Sequence, residues 1–155
     1  MSRRFALTLL SLGVACGPVG PLSGGRLSGE IGPRDVQEWS FASKEETAQL
    51  ETQPADPHSV NTWFVAIGPR LYVPTSMILG PKDPTERGWV SHLREEPEVR
   101  IRLTGVVYER LAVRVSEPSE YAAARSALEG KYDLDPTDRD PERQVWIFRM
   151  DPRTP

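Results

Sequence analysis

The chain has 155 residues, a formal net charge of −3 and a single cysteine. With 38% hydrophobic and 26% charged residues, it has the composition of one globular domain rather than a disordered or membrane-embedded chain. The acidic balance argues against a nucleic-acid-binding face, and one cysteine excludes both a disulfide framework and a multi-cysteine zinc site. The two histidines, His58 and His92, leave little material for a metal centre, so none is expected. The 15 prolines and 12 glycines favour turns and short strands over long helices.

In chain order the first element is an address. Residues 1–16 read MSRRFALTLLSLGVAC: Arg3 and Arg4 open it, and Phe5 to Ala15 are uncharged and mostly apolar. That is the layout of an export signal peptide, and ~11 apolar residues fall short of the ~20 a membrane-spanning helix needs. Val14-Ala15-Cys16 resembles the end of a bacterial lipobox, in which the Cys is lipidated and becomes the new N-terminus. Gly13 stands where that motif usually has Leu. Cys16 is therefore the candidate lipidation site of a membrane-anchored lipoprotein, with a plain secretory signal as the alternative. Ser2-Arg3-Arg4 is also similar to a twin-arginine export motif, with Ala6 in place of its usual Phe. Residues 17–35 are rich in Gly and Pro and read as a flexible linker, leaving residues 36–155 for the domain.

Within the domain, Gln37–Phe41 reads as a short strand, and Thr47–Thr52 as another. Ser59–Ile67 (SVNTWFVAI) is dominated by β-branched and aromatic residues and reads as one strand with apolar groups on both faces. Gly68-Pro69-Arg70 is a turn, and Leu71–Thr75 pairs back as a hairpin. Asp83-Pro84-Thr85-Glu86 carries helix-start chemistry. Trp89, Val90 and Leu93 share one stripe, so a helix is expected over Pro84–Glu95, ended by Pro97. Val99, Ile101 and Leu103 alternate with Arg100, Arg102 and Thr104, which makes a half-buried strand. Gly105 turns the chain into a second hairpin running to Val115. Ser116-Glu117-Pro118 opens a helix whose face carries Tyr121, Ala124, Leu128 and Tyr132, closed by Gly130 and Lys131. A polar loop over Asp133–Glu142 leads to a last strand, Gln144–Met150. Antiparallel hairpins dominate and βαβ units are lacking. The expected fold is mainly β (α+β): a small antiparallel barrel with short flanking helices.

No phosphate loop, dinucleotide fingerprint, serine-hydrolase elbow or metalloprotease helix is present. His58 and His92 have no motif partner, and Glu45-Glu46 and Glu95-Glu96-Glu98 read as solvated. The stretch from Thr75 to Trp89 stands out. It runs from a strand end with two hydroxyls (Thr75, Ser76), past Lys82, into a helix start with Arg87 and Trp89. Hydroxyls and cations in that order suit a phosphate, and an indole suits one wall of a flat ligand site. The same composition also serves an ordinary strand–loop–helix junction. In Thr62-Trp63-Phe64, alternate side chains face opposite ways: one is core, and the other covers a groove, an interface or a helix.

Taken together, VNTWFVAIGPRLYVPTS, RGWVSHLREEPEVRIRLTGVVYERLAVRV, ALEGKYDLD and VWIFRM resemble the split β-barrel superfamily. That superfamily includes pyridoxamine 5'-phosphate oxidase-like and deazaflavin-dependent nitroreductase-like proteins. The resemblance implies a six-stranded antiparallel split β-barrel, commonly a homodimer, with FMN or a deazaflavin in a groove between subunits. Carried over by position, Thr62, Thr75, Ser76, Lys82, Arg87 and Trp89 would be cofactor-binding, and no side chain would be catalytic. His92 replaces the family's Asn before Leu, and the Arg-rich phosphate motif of the oxidases is missing. Two readings stay open: an exported oxidoreductase that transfers hydride to a small organic substrate, and a non-catalytic envelope lipoprotein with a cofactor-free barrel.

Overall fold

The computed structural model describes residues 17–20 and 22–154. The export signal and the lipidation site at Cys16 lie outside the described residues. Seven strands form one antiparallel sheet: β1 (Ala48–Thr52), β2 (His58–Thr62), β3 (Val65–Ile67), β4 (Arg70–Pro74), β5 (Glu98–Leu103), β6 (Val106–Arg114) and β7 (Ile147–Pro152). Two helices flank it, α1 (Gly88–Glu95) and α2 (Pro118–Lys131).

The strand order is β2-β1-β5-β6-β7-β4-β3. This places β2 and β3 at opposite ends of the hydrogen-bonded series, yet only Trp63 and Phe64 separate them in the chain. Six inter-strand gaps of ~4.8 Å would put the two ends of a flat sheet nearly 30 Å apart. Three residue steps reach only about 11 Å. The sheet must therefore curl until its ends meet, and the result is a split barrel.

The expected fold class holds, with seven strands where the resemblance implied six. The strand expected at 37–41 is lost, and the segment 59–67 is two strands rather than one. At its middle the Phe64 amide donates to the Tyr132 hydroxyl at 2.9 Å. That hydroxyl in turn donates towards the carbonyls of Glu46 (2.8 Å) and Phe64 (3.0 Å). A side chain from 68 residues downstream thus takes the backbone groups a continuous ladder would use. β2 then pairs with β1, and β3 with β4. The strand expected at 37–41 is instead a 3-10 turn over Ser40–Ala42. Trp39 fixes it: its ring is buried, its indole N–H donates to the Pro69 carbonyl, and its edge meets Tyr108. The last strand starts later than expected, because Gln144 and Trp146 donate their amides to the Lys82 carbonyl and the Thr75 hydroxyl.

The alternation in β5 does what its pattern implies. Val99, Ile101 and Leu103 are buried, and Arg100 and Arg102 are not. With Leu50, Phe64, Trp89 and Phe148 they fill the barrel. Each such side chain contributes roughly 1.5–3 kcal/mol when fully buried. A second cluster packs Ala124 and Leu128 of α2 against Val65, Val115 and Ile147. Helix α2 starts where its sequence signals placed it: Pro118 is the first residue, and the Glu117 carboxylate accepts the amides of Ser119 and Glu120. Ahead of the barrel, residues 17–35 carry isolated bridges only: Gly24 pairs with Ser59, and Ile31 with Val107. Leu27 between them is buried, and its amide donates to the Glu51 carboxylate at 2.6 Å. These contacts lay that part of the segment against the barrel. Among the described residues no helix is long and apolar enough to cross a membrane.

Candidate functional site

A cavity of about 440 Å³ opens where the end of β2, the end of β4 and the start of α1 converge. Thr62, Thr75, Ser76, Arg87 and Trp89 all line it. Five of the six side chains singled out from the sequence are thus brought together.

Thr75 and Ser76 follow β4 and are both buried. Thr75 is tied twice to Trp146: its amide donates to the Trp146 carbonyl at 2.8 Å, and its hydroxyl oxygen accepts the Trp146 amide at 2.9 Å. Its hydroxyl proton is not consumed by that second bond. Ser76 accepts the Nε–H of Arg87 at 2.7 Å.

Arg87 reaches Ser76 because the helix expected over 84–95 is broken at this residue. Asp83 caps a 3-10 turn, Pro84–Glu86, by accepting both the amide and the hydroxyl of Thr85. The Arg87 amide closes the turn on the Pro84 carbonyl. Arg87 itself is extended (φ −82°, ψ 120°), and α1 begins at Gly88. Gly80 makes room for the guanidinium. Its φ is +86°, and a Cβ there would sit 2.5 Å from an Arg87 Nη and 3.1 Å from the Ser76 hydroxyl. The positive φ favours glycine at this position, and a side chain there would displace the guanidinium.

The electrostatics are one-sided. Arg87 has a hydroxyl as its side-chain partner, and among the described residues no carboxylate lies within ion-pairing distance of it. Burial, and then the nearby Arg143 guanidinium, push its pKa below the usual arginine value. Arg143 donates to the carbonyls of Gly80 (3.1 Å) and Pro81 (3.2 Å), and its buried Nε, without a hydrogen bond, lies 3.9 Å from an Asp140 carboxylate oxygen. Arg143 carries no local signal: it sits at the end of a polar loop, far in sequence from the Thr75–Trp89 stretch.

Lys82 is the exception and corrects the sequence expectation. Its ammonium pairs with Glu142 at 2.7 Å and Asp140 at 3.0 Å, and it does not line the cavity. Those carboxylates raise its pKa. A cation so matched has little left to offer a ligand.

Two indoles supply flat walls. Trp89 is buried and meets Phe148 edge-on, with ring centroids 5.6 Å apart. Trp63 is half-buried and stacks on Tyr132 at 4.1 Å and 8°. Of the pair Trp63 and Phe64, Phe64 is therefore core and Trp63 covers the groove. Ile78 and Leu79 form an exposed apolar lip. The lining carries no carboxylate, imidazole or thiol.

The histidines lie elsewhere. His58 and His92 meet edge-on at 5.5 Å, and His92 Nδ1 is 2.8 Å from the Thr52 hydroxyl. Burial first, and then His58, lower the His92 pKa. Among the described residues no group of three or more His, Cys, Asp or Glu side chains could hold a metal ion. The arrangement is fit to hold a planar, anion-bearing molecule: indoles for a ring, hydroxyls for its polar edge, Arg87 for negative charge. A volume of about 440 Å³ is within the range of small-molecule sites.

No family model matches this sequence, and no curated protein sequence matches it. Solved structures do. A conserved hypothetical protein from Mycobacterium tuberculosis, Rv2991, is 19% identical with a TM-score of 0.57, covering 81% of this chain and 86% of that one. A Listeria innocua protein assigned as a pyridoxamine 5'-phosphate oxidase is 18% identical with a TM-score of 0.53, covering 74% and 90%. An F420 reductase is 18% identical with a TM-score of 0.51, covering 77% and 97%. At these identities the likeness speaks to architecture, and with the curled seven-stranded sheet it establishes that this chain is a split β-barrel protein.

Proposed function

We propose that this chain is an exported flavin-type split-barrel oxidoreductase whose cofactor, FMN or a deazaflavin, occupies the cavity between Trp63, Trp89 and Arg87. The observation that carries the reading is Arg87: a half-buried guanidinium beside a ligand-sized cavity, paired with one hydroxyl and with no carboxylate. Holding such a charge without a counter-charge is costly, and an anionic ligand offsets the cost. Arg87 would hold a phosphate. Ser76, Thr75 and Thr62 would meet the polar edge of the ring, and the indoles its faces. The names of the structural neighbours set which ligands to try first.

The cofactor supplies the hydride chemistry. This chain's part is to bind, orient and exclude water, which suits a lining without acids or bases. The proposal includes a homodimer, in which a second copy covers Ile78 and Leu79, and a small organic substrate. It also includes membrane attachment through a lipid on Cys16, with residues 17–35 joining the signal to the barrel.

Residues 17–155 titrated with FMN and with a deazaflavin, followed by fluorescence, test the cofactor. Saturable binding in the micromolar range is expected. No binding at ~100 µM, about a hundredfold weaker than a 1 µM site, would instead favour the cofactor-free lipoprotein. Cys16→Ser should abolish incorporation of a labelled fatty acid, and persistent labelling would remove the anchor.

A further inference from the structure

Trp63 lines the first cavity, and its neighbour Phe64 lines a second one of about 410 Å³. Trp39, Val65 and Ala66 make its apolar walls, and Glu38, Ser40 and Ser43 its polar ones. Trp39 is held rigid by its hydrogen bond to the Pro69 carbonyl and by Tyr108. Lys131, the last residue of α2, is the one amine in the lining.

The chain has three lysines, at 44, 82 and 131, and their surroundings differ. Lys82 is neutralised by two carboxylates. Lys44 is exposed. Lys131 is half-buried, and among the described residues no carboxylate lies within 4.0 Å of its nitrogen. Instead its Nζ sits 3.3 Å from the centroid of the Phe64 ring and 5.4 Å from that of Tyr132. A ring face attracts an ammonium but does not replace its water shell as a carboxylate does. An amine placed against aromatic carbon beside an open, ligand-sized space is the arrangement in which lysine acts as a nucleophile.

We propose that this second cavity is a binding site for a small aromatic aldehyde, which the Lys131 amine captures as an imine. The reaction balances without a redox partner. The nitrogen lone pair bonds to the carbonyl carbon while the carbonyl π electrons move to oxygen. The carbinolamine then expels that oxygen as water, carrying away both amine hydrogens. The apolar side of the lining, with Val65 and Ala66 beside Trp39 and Phe64, suits an aromatic ring, and the Ser40 and Ser43 hydroxyls suit the carbonyl oxygen.

Burial agrees with this role. It pulls the Lys131 pKa down to about 8, with Glu45 opposing. At pH 7 roughly a tenth of such an amine is neutral, against about one in three thousand for a lysine at 10.5. The inference does not rest on the flavin reading, which concerns the other cavity.

The test is reductive trapping of the folded protein at pH 7 with benzaldehyde and cyanoborohydride, with the modified lysine identified by peptide mass spectrometry. Lys131 should react roughly tenfold or more faster than Lys44 and Lys82, at a rate that saturates with benzaldehyde. Lys131→Arg should remove that adduct. Ser43→Phe, which fills the cavity and spares the amine, should slow trapping at Lys131 about tenfold or more while leaving Lys44 unchanged. Equal labelling of the three lysines would overturn the proposal, and so would a rate that stays linear in benzaldehyde or is unmoved by Ser43→Phe. The wild-type competition needs no variant, so a misfolded mutant does not protect the idea.

Discussion

Two clusters of charge in this barrel are built from the same residue types and behave differently. On one flank, Arg149 of β7 donates to both oxygens of Glu120 at 2.9 and 3.0 Å and to both oxygens of Asp151 at 2.6 and 2.9 Å. Tyr72 of β4 donates to Glu120 at 2.9 Å, and Arg70 adds a longer contact. Arginine and carboxylates answer one another, so the Arg149 pKa is raised and the Glu120 pKa is lowered, each first by its hydrogen bonds to the other group or to Asp151. Beside the first cavity, Arg87 has a hydroxyl partner and a neighbouring guanidinium, Arg143, which keeps carbonyl partners of its own and a contact to the Asp140 carboxylate at 3.9 Å. The first cluster closes on itself and pins α2 to the sheet. The second leaves Arg87 itself, among the described residues, without a carboxylate. Arginine content therefore does not mark a site; the balance of charge around each arginine does.

The largest effect should come from breaking the closed cluster. Glu120→Ala removes the carboxylate from Arg149 and Tyr72 together. Both partners are partly solvated, so the cost should be about 2–3 kcal/mol rather than the 3–5 of a fully buried pair. Urea denaturation measures it, and a change under ~0.5 kcal/mol would show the cluster to be idle. The pH dependence has a definite sign. Because the folded pKa of Glu120 lies below its ordinary value, the native state binds fewer protons than the unfolded chain. Its contribution is full above the usual carboxylate pKa and falls away as the pH drops through the folded one. Glu120→Ala should therefore flatten the acid side of the stability profile.

The second cluster should answer in affinity. Arg87→Ala should weaken binding of a phosphate-bearing flavin by about 1.5–3 kcal/mol, while folding stability changes by under ~1 kcal/mol. Lys82→Ala, five positions away, should move both quantities by less than ~0.5 kcal/mol, because its partners are exposed carboxylates. Calorimetric titration of the two variants side by side sharpens the contrast. Equal losses would mean that Lys82 works with Arg87 after all.

That pair also shows where sequence reading stops. Lys82 and Arg87 share one loop and look equivalent, but the carboxylates that claim Lys82 are about 60 positions away and no local rule reveals them. Strands β5 and β6 were legible because their period-two alternation reports a buried and a solvated face. The division of 59–67 was not, since both faces are apolar and the break is imposed from Tyr132. Trp63 was recognised as a residue with two possible roles, and the same break decides between them. Lys131 carries no local signal as a site residue: it takes its meaning from a cavity formed by segments distant in sequence.

The pairing of Gly24 with Ser59 has a consequence for self-association. Strand β2 ends the hydrogen-bonded series, and an exposed edge of that kind recruits strands from other molecules. Here the outward-facing amide and carbonyl of Ser59 are taken by Gly24, and its hydroxyl donates to the Gly25 carbonyl. The opposite edge, β3, is three residues long and ends in the Gly68 turn. Neither rim offers a long template for strand addition, and the preceding segment doubles as a guard against fibrous growth.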